Sequence, residues 1–371
     1  MALKVGLVAR CLNTAHIRGM GKYVFELLQK SSAQQGVDWV LFGDDPRFGM
    51  VAPEGKPITT DIFEFKGDRF CLWEQLGLPL RAVKHNVDVL HCTEGALSLW
   101  QPKATVVTIH DALAWVERPD TAGAKFYWDT LMPAALKKCA AVITISESSR
   151  NDILARWPWL ESKLDVIPHG IEDAYFTDEL SCLPEDLALT IGKAQYLVYM
   201  GGPMERKRFS WAAEVLAKTN HPTLKLIACG FGAEARRTAT AQLPNYLKNR
   251  VHFASFLSDA ELRALYRQAK AVLYPTLYEG FGFPAIEAQA AGVPAIFSAL
   301  GSLKELVGPM AVIVPPIDMD AWVAAVNQAM NMDERRAKLS REASTWVRRF
   351  EWKQSFEKHL AVYQKVGLKT S

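Results

Sequence analysis

The sequence predicts an α/β protein built from two successive doubly wound parallel sheets. Three observations lead to this prediction. The chain has 371 residues, which suits two domains better than one. Short runs rich in Val, Ile and Leu alternate with longer segments of helical periodicity. A stretch containing Pro and Gly at 165–190 interrupts this alternation, so we expect a linker there.

The first half contains five predicted strands, each a short apolar run. They lie at 4–9, 38–42, 87–91, 104–109 and 140–145. Helical periodicity predicts helices at 19–33, 69–85, 125–138 and 146–156. Ser146 is the expected N-cap of the last of these helices, because its hydroxyl can accept a hydrogen bond from a first-turn amide.

The same alternation restarts in the second half. Six more strands are predicted at 196–200, 224–228, 251–253, 271–274, 294–297 and 311–314. Helices fit between and after them at 209–218, 233–247, 259–269, 284–291 and 320–330. The tail at 333–367 is predicted to form two further helices.

Composition excludes several classes of protein. Hydrophobic residues make up 49% of the chain and charged residues 22%, so disorder is excluded. The net charge of +3 is far below that of a dedicated nucleic-acid binder. This total conceals an asymmetry: residues 1–180 carry 19 basic and 23 acidic side chains, and residues 181–371 carry 24 and 17. The basic excess therefore lies in the second half.

The cellular setting is also constrained by the sequence. No run of about 18 apolar residues is present, so no membrane-spanning helix is predicted. The apolar stretch at 5–9 is too short for a signal peptide and is predicted to be a buried strand. The six cysteines lack the spacing of a zinc site or a disulfide framework, which favours a reducing compartment. We expect a cytoplasmic protein.

The segment with the most chemical information follows the strand at 271–274. Glu279 and Glu287 enclose the glycine-rich stretch Gly280-Phe281-Gly282-Phe283-Pro284. Glycines let backbone amides approach a ligand, and Pro284 suits the first turn of a helix. A helix N-terminus after such a loop favours anions and hydroxyl groups. The alternative is that Glu279 complements the helix dipole and Glu287 is a solvated surface residue.

The Glu-x7-Glu spacing resembles the donor-site signature of the retaining glycosyltransferases of family 4, which have the GT-B fold. Further matches occur in the family's order along nearly the whole chain, in the segments 19–23, 107–111, 143–150, 166–171 and 199–207. The resemblance therefore implies two Rossmann-like domains that face one interdomain cleft. One departure is Gly202, where many relatives have Arg.

The resemblance implies a role for each matching residue of the donor site. Lys207 and Arg206 would bind the diphosphate, whose developing negative charge needs fixed positive charge. Glu279 would hydrogen-bond the sugar hydroxyls and Glu287 the ribose hydroxyls. The backbone of the glycine loop, and Gly21 in a loop of the first domain, would approach the donor. The donor-binding set is Gly21, Arg206, Lys207, Glu279, Gly280, Phe281, Gly282, Phe283 and Glu287.

Three further residues receive weaker or different roles. His110 is counted with Lys207 and Glu279 as catalytic by this resemblance, positioning the transferred sugar; the alternative is a core or capping histidine. His16 and Arg18, in the long first loop, are weak candidates for acceptor or phosphate contact. The Asp318-Met319-Asp320 triplet precedes a helix, so one of its carboxylates is predicted to be an N-cap.

The implied protein is a metal-independent hexosyltransferase that needs no cofactor and takes a GDP- or UDP-sugar as donor. Its domains are predicted at 1–180 for the acceptor, 181–348 for the donor, and 349–371 for a C-terminal helix packing back toward the first domain. The acceptor would be a glycan or a lipid-linked sugar of polysaccharide biosynthesis, and no nucleic acid is expected. Two alternatives remain: a catalytically silent nucleotide-sugar-binding partner, and an epimerase of the same fold.

A lipid-linked acceptor would place the protein at the inner face of the membrane. The segment 69–85 mixes aromatic and basic residues and could contact that surface. The alternative for this segment is an ordinary packed helix.

Overall fold

The computed structural model describes residues 2–14, 17, 19–31, 36–65, 71–117, 121–177 and 182–368. Within the described residues up to 177, seven parallel strands form one sheet in the order β3-β2-β1-β4-β5-β6-β7. The strands are β1 (Leu3–Val8), β2 (Val37–Gly43), β3 (Ile58–Ile62), β4 (Val89–Cys92), β5 (Ala104–Thr108), β6 (Ala141–Thr144) and β7 (Leu164–Val166). The helices are α1 (Gly19–Lys30), α2 (Leu78–Lys84), α3 (Leu113–Val116), α4 (Ala122–Phe126), α5 (Met132–Lys138) and α6 (Glu147–Arg156).

A second sheet follows, with six parallel strands among the described residues in the order β10-β9-β8-β11-β12-β13. The strands are β8 (Tyr196–Met200), β9 (Lys225–Cys229), β10 (Val251–Phe253), β11 (Ala271–Tyr274), β12 (Ala295–Phe297) and β13 (Ala311–Ile313). The helices are α7 (Glu185–Ile191), α8 (Phe209–Lys218), α9 (Ala233–Gln242), α10 (Asp259–Gln268), α11 (Phe283–Ala290), α12 (Met319–Met330), α13 (Asp333–Val347) and α14 (Trp352–Gly367). Both strand orders are doubly wound, which confirms the predicted fold class.

Two strands of the first sheet are absent from the sequence prediction, and both lie at its edges. β3 pairs only with β2, and Thr59 and Thr60 within it are exposed. β7 has three residues and pairs only with β6. Apolar runs identify strands that are buried on both faces, so short or polar edge strands escape this criterion.

Two predicted helices contain a π-helical turn. Trp73–Gly77 adopts this geometry before α2, and Tyr127–Leu131 adopts it between α4 and α5. The predicted helix at 233–247 ends earlier, at Gln242. The predicted caps are confirmed: the Ser149 amide donates to Ser146 Oγ at 3.0 Å, and the Ala321 amide donates to Asp318 Oδ1 at 2.9 Å.

The helical segment at 71–84 has one exposed apolar face. Leu72, Leu76, Leu80 and Val83 are 41%, 47%, 55% and 46% exposed, whereas Trp73 is buried. Their spacing of three and four residues places them along one side of the helix. None of the helices in the described ranges is long and apolar enough to cross a membrane.

The chain divides into two compact units. One comprises Met1–Gly170 with Trp352–Ser371, and the other comprises Ile171–Glu351. The sequence prediction places the corresponding boundaries at 180/181 and 348/349. In the first unit, Gly170 lies against the start of α14, where an added Cβ would be 2.3 Å from the Trp352 amide nitrogen. A side chain at position 170 would therefore displace the backbone of α14.

A buried chain of hydrogen bonds ties α14 to the first sheet. His359 Nδ1 lies 2.8 Å from the Ser355 carbonyl oxygen and must donate to it, so in the neutral ring Nε2 accepts from Tyr23 Oη at 2.8 Å. Tyr23 Oη then accepts from Thr108 Oγ1 at 3.0 Å. Thr108 Oγ1 in turn accepts from His91 Nε2 at 2.8 Å. With both imidazole rings neutral, as their lowered pKa values indicate, each hydrogen of this chain has one acceptor.

The last link of this chain returns to α14. Tyr363 donates from its hydroxyl to His91 Nδ1 at 2.7 Å. His110 and His169 lie beside these rings, with 5.5 Å between their centroids. Burial lowers the pKa of each of the four histidines, that of His359 to about 4. Protonation therefore opposes the folded state.

We predict that acid destabilises the protein through these histidines. An unfolded histidine has a pKa of about 6.5, so between pH 6.5 and 4 the unfolded state binds more protons than the folded state. Stability is therefore full above about pH 6.5 and falls as the pH drops toward 4, by up to about 1.4 kcal/mol per pH unit for each histidine. Urea denaturation at several pH values measures this slope.

The matched variants are His359→Gln, within the cluster, and His221→Gln, in the other unit. The first variant should reduce the dependence of the free energy of unfolding on pH between 6.5 and 4. The second should leave this dependence unchanged. An equal slope in all three proteins would contradict the assignment to the cluster.

Candidate functional site

The order of the second sheet reverses between β8 and β11, which are neighbours. The chain runs outward from β8 through β9 to β10 and then returns to the other side of β8. The loops after β8 and β11 therefore diverge from one carboxyl edge, where open parallel sheets bind ligands. The predicted segments 199–207 and 278–287 supply these two loops.

Two cations and one carboxylate from these loops meet. Arg206 Nη1 donates to Glu279 Oε1 at 3.0 Å and to the Tyr278 carbonyl oxygen at 2.8 Å. The Lys207 ammonium also pairs with Glu279 and donates to the Tyr274 hydroxyl at 3.1 Å. The three charged side chains are only 11–17% exposed. Two positive charges against one negative charge leave this cluster able to attract an anion.

The carboxylate has further neutral partners that orient it. Thr276 Oγ1 donates to Glu279 Oε1 at 2.7 Å. Tyr274 is fully buried beside the carboxylate, and burial together with the Glu279 charge raises the pKa of this phenol well above its usual value. The phenol therefore stays protonated and can donate. Glu279 is held in one orientation from several sides.

The turn after β8 depends on glycine. The backbone of Gly202 has φ +67°, and a Cβ there would lie 2.6 Å from the Gly230 carbonyl oxygen. Tyr199 Oη donates to the Gly202 carbonyl at 2.9 Å, and the Leu277 amide donates to the Arg206 carbonyl at 3.0 Å. This conformation leaves no space for a side chain at position 202, and positive charge in the turn comes from residues further along it, including Arg206 and Lys207.

The predicted glycine loop leads directly into a helix. Gly282 has φ +105° and precedes α11, and a Cβ there would lie 2.4 Å from Leu303 Cδ2. Pro284 lies in the first turn, as predicted. Ser302 Oγ donates to the Glu279 carbonyl at 2.7 Å and to the Phe281 carbonyl at 3.2 Å. The loop around Gly280 and Phe283 is thus held in place by side chains from outside it.

Glu287 belongs to a second, separate polar cluster within the same unit. The surface position that we considered for it is wrong, since Glu287 is buried and accepts from the Tyr266 hydroxyl at 3.3 Å. The Glu287 charge also contributes to the raised pKa of Tyr175. Arg263 Nη1 pairs nearby with Glu172 at 2.9 Å. Sequence spacing alone did not indicate these partners, which come from other elements.

His110 follows β5 in the first unit. Its Nε2 lies 2.8 Å from the Thr93 carbonyl oxygen and must donate to it, while its own carbonyl accepts from Ser149 Oγ at 2.9 Å. Burial lowers its pKa, so the ring is neutral and Nδ1 remains an acceptor. The neutral ring therefore has no proton on Nδ1 to donate.

The prediction that Gly21 lies in a loop is wrong, whereas the predicted helix at 19–33, which includes this residue, is confirmed as α1. Gly21 is buried in the first turn of α1, where a Cβ would lie 2.8 Å from the Cys11 carbonyl oxygen. Close packing between this turn and the preceding loop explains the glycine. His16 and Arg18 lie outside the described residues.

An ion pair at the switch point of the first sheet was missed by the sequence reasoning. Arg10 follows β1 and Glu94 follows β4, and their side chains pair at 3.0 Å. Glu94 Oε1 also accepts from the Cys11 amide at 2.8 Å. Only the position of charged residues directly after two strands could have indicated this pair. Among the described residues, no cluster of His, Cys, Asp or Glu could hold a metal ion.

We predict that the partly buried Arg206 and the buried Arg263 differ in their contribution to stability. Arg206→Gln should cost about 1 kcal/mol, because Lys207 still compensates Glu279. Arg263→Gln should cost about 3 kcal/mol, because it removes the guanidinium paired with the buried Glu172. Urea denaturation of both variants measures the difference, and equal losses would contradict the charge-sharing at Glu279.

Comparison with known proteins supports the same family in both halves. Residues 17–175 match the family model described as Glycosyltransferase Family 4, and residues 189–346 match the model described as Glycosyl transferases group 1. The chain is 27% identical over 282 residues to MMP α-(1→4)-mannosyltransferase of Mycolicibacterium hassiacum, a match that covers 70% of this chain. It is 24% identical over 243 residues to O-antigen chain mannosyltransferase B of Escherichia coli, covering 64% of this chain. The matches span 65% and 64% of the length of these two relatives.

Solved structures share the fold over the whole chain. Sucrose-phosphate synthase from Thermosynechococcus elongatus is similar with a TM-score of 0.76 and 21% identity, covering 100% of both chains. HepE of Anabaena, in complex with UDP and glucose, is similar with a TM-score of 0.71 and 16% identity, covering 97% of this chain and 98% of HepE. The two family models and this shared fold identify the chain as a member of the group 1, family 4 glycosyltransferases, with the GT-B fold.

Proposed function

We propose that this protein is a retaining hexosyltransferase that uses a nucleotide-diphosphate sugar as donor. The observation that carries the proposal is the cluster of Arg206, Lys207 and Glu279 at the switch point of the second sheet. Family membership supports the reaction class. The basic excess of residues 181–371 supports the binding of a diphosphate by this part of the chain.

The cluster suits the departure of a nucleoside diphosphate. The bond between the anomeric carbon and the diphosphate oxygen breaks, and its electron pair goes to that oxygen. Lys207 and Arg206 stabilise the negative charge that develops there, because their side chains are already ordered and partly shielded from water. The acceptor oxygen bonds to the anomeric carbon from the same face, and its proton goes to the departing diphosphate.

Glu279 would have two successive sets of partners. Without donor it compensates the two cations, and with donor it would accept hydrogen bonds from sugar hydroxyls, each worth about 1.5–3 kcal/mol. Thr276 and Tyr274 would keep its carboxylate oriented in both states. For Glu287 we propose ribose recognition, for His110 the positioning of the sugar, and for Gly21 an amide contact with the donor.

The donor and acceptor are proposed from the relatives. The two curated relatives are mannosyltransferases by name, which supports a mannose donor, and the UDP complex of HepE supports a nucleoside diphosphate carrier. We therefore propose a GDP- or UDP-sugar as donor and a glycan or lipid-linked acceptor of polysaccharide biosynthesis. For a lipid-linked acceptor, the exposed face of Leu72, Leu76 and Leu80 is the surface that we propose for membrane contact.

We predict that Lys207→Gln lowers kcat/KM by about 100- to 1,000-fold, since it removes a cation from the leaving diphosphate. Glu279→Gln should lower it by about 10- to 100-fold, since the amide accepts hydroxyl donors less strongly than a carboxylate. Release of the nucleoside diphosphate from GDP-mannose, UDP-glucose and related donors, with and without glycan acceptors, measures the rates. The assays are run with and without a metal chelator, and we expect the chelator to leave the rate of each protein unchanged.

The controls lie close to the site but outside the cluster. Glu205→Gln changes an exposed carboxylate in the same turn, and Lys193→Gln changes an exposed ammonium of the same unit. Both should retain the wild-type rate. If the folded Lys207→Gln and Glu279→Gln variants transferred sugar at the wild-type rate, the assignment of the donor site would be wrong. Donor binding without transfer would favour a silent partner, and a changed sugar without acceptor would favour an epimerase.

A further inference from the structure

A cavity of about 610 Å³ lies at the amino edge of the first sheet, where β5 and β6 begin. Val362 and Val366 of α14 contribute apolar wall, and Trp100, which is 45% exposed, also lines it. His110 and the loops of the candidate site follow the opposite, carboxyl ends of their strands. This cavity is therefore distinct from the proposed donor site.

Four lysines line this cavity, and their charges are not balanced. They are Lys103, Lys138, Lys163 and Lys365. Asp165 is the one carboxylate among the residues that line it in the described structure. None of the ion pairs found among the described residues involves any of the four lysines. The lining thus has a formal excess of positive charge.

Three of these lysines donate hydrogen bonds to neutral oxygen atoms. Lys163 Nζ donates to the carbonyls of Leu136 and Cys139 at 2.5 and 2.9 Å, which satisfies the end of α5. Lys138 Nζ donates to the Leu99 carbonyl at 3.1 Å. Lys103 Nζ similarly donates to Asn86 Oδ1, at 3.0 Å. Lys163 therefore has a structural role. The ammonium groups of the other lysines have further N–H donors for a ligand.

A group of like charges around a concave surface is costly unless an anion or solvent compensates it. The volume lies in the range of small-molecule sites, about 300–1,000 Å³. A lysine ammonium is a point charge that commonly binds phosphate oxygens. The apolar wall of Val362, Val366 and Trp100 would contact an organic part of the same ligand.

We propose that this cavity binds a phosphate-bearing anion through Lys103, Lys138 and Lys365. Because α14 supplies Lys365, Val362 and Val366, the ligand would connect α14 to the amino edge of the first sheet. The proposal does not depend on the proposed function, since no residue of the donor cluster takes part.

Lysine acetylation followed by mass spectrometry locates the ligand on the full-length chain. Pyrophosphate is the soluble probe, and vesicles of phosphatidylglycerol are the lipid probe, with phosphatidylcholine vesicles as the neutral control. Binding should protect Lys103, Lys138 and Lys365 from acetylation, but not the exposed Lys84 and Lys358 of the same unit. Protection of Lys207 is scored separately, because it reports the donor site.

Charge-neutralising variants test the affinity. Lys103→Gln/Lys365→Gln should weaken binding at the cavity by about tenfold or more, because two of the unbalanced charges are lost. Lys84→Gln/Lys358→Gln removes the same charge elsewhere and should leave the affinity unchanged. A fall in affinity with rising ionic strength is expected for the wild type.

Each outcome decides the proposal. Protection by pyrophosphate identifies a soluble phosphate ligand, and protection only by phosphatidylglycerol identifies a lipid headgroup. Absence of protection at all three lysines with both probes overturns the cavity as a phosphate site, whatever happens at Lys207. An affinity that is equal in both double variants also overturns it.

Discussion

The reversal of strand order between β8 and β11 is the constraint on which the candidate site depends. Two neighbouring parallel strands end at the same edge, but their chains leave in opposite directions, so a crevice opens between their loops. Residues more than 70 positions apart, such as Arg206 and Glu279, meet there within hydrogen-bond distance. The glycine turn at Gly202 and the close approach of Gly230 allow the backbones to come together.

Charge compensation governs the chemistry of this crevice. Glu279 is shared between Arg206 and Lys207, so neither cation is left alone in a partly buried setting. The surplus positive charge attracts an anion without an unpaired buried carboxylate in the resting protein. Arg206 is also held by the backbone of the opposite loop, and this reduces the ordering that ligand binding would require.

In the first unit, neutral polar groups lie in the interior of the sheet, and the lysines of the cavity lie at its amino edge. The interior contains neutral rings and hydroxyls in a directional chain that includes Tyr23 and His359. Burial makes charge costly there, and the low pKa of His359 follows from it. The amino edge has lysines such as Lys103 and Lys365 that retain access to solvent or ligand. α14 contributes to both regions, so its position affects the core and the cavity together.

The sequence alone determined the two doubly wound sheets, because buried parallel strands are continuous apolar runs separated by helical segments. It also determined the cap at Ser146 and restricted the cap of α12 to Asp318 or Asp320, since capping is local chemistry. The edge strands β3 and β7, the partners of Glu287 and the packing of Gly21 against the Cys11 carbonyl were decided only by tertiary structure. Their surroundings come from elements distant along the chain, and local periodicity carries no information about which distant side chains will meet.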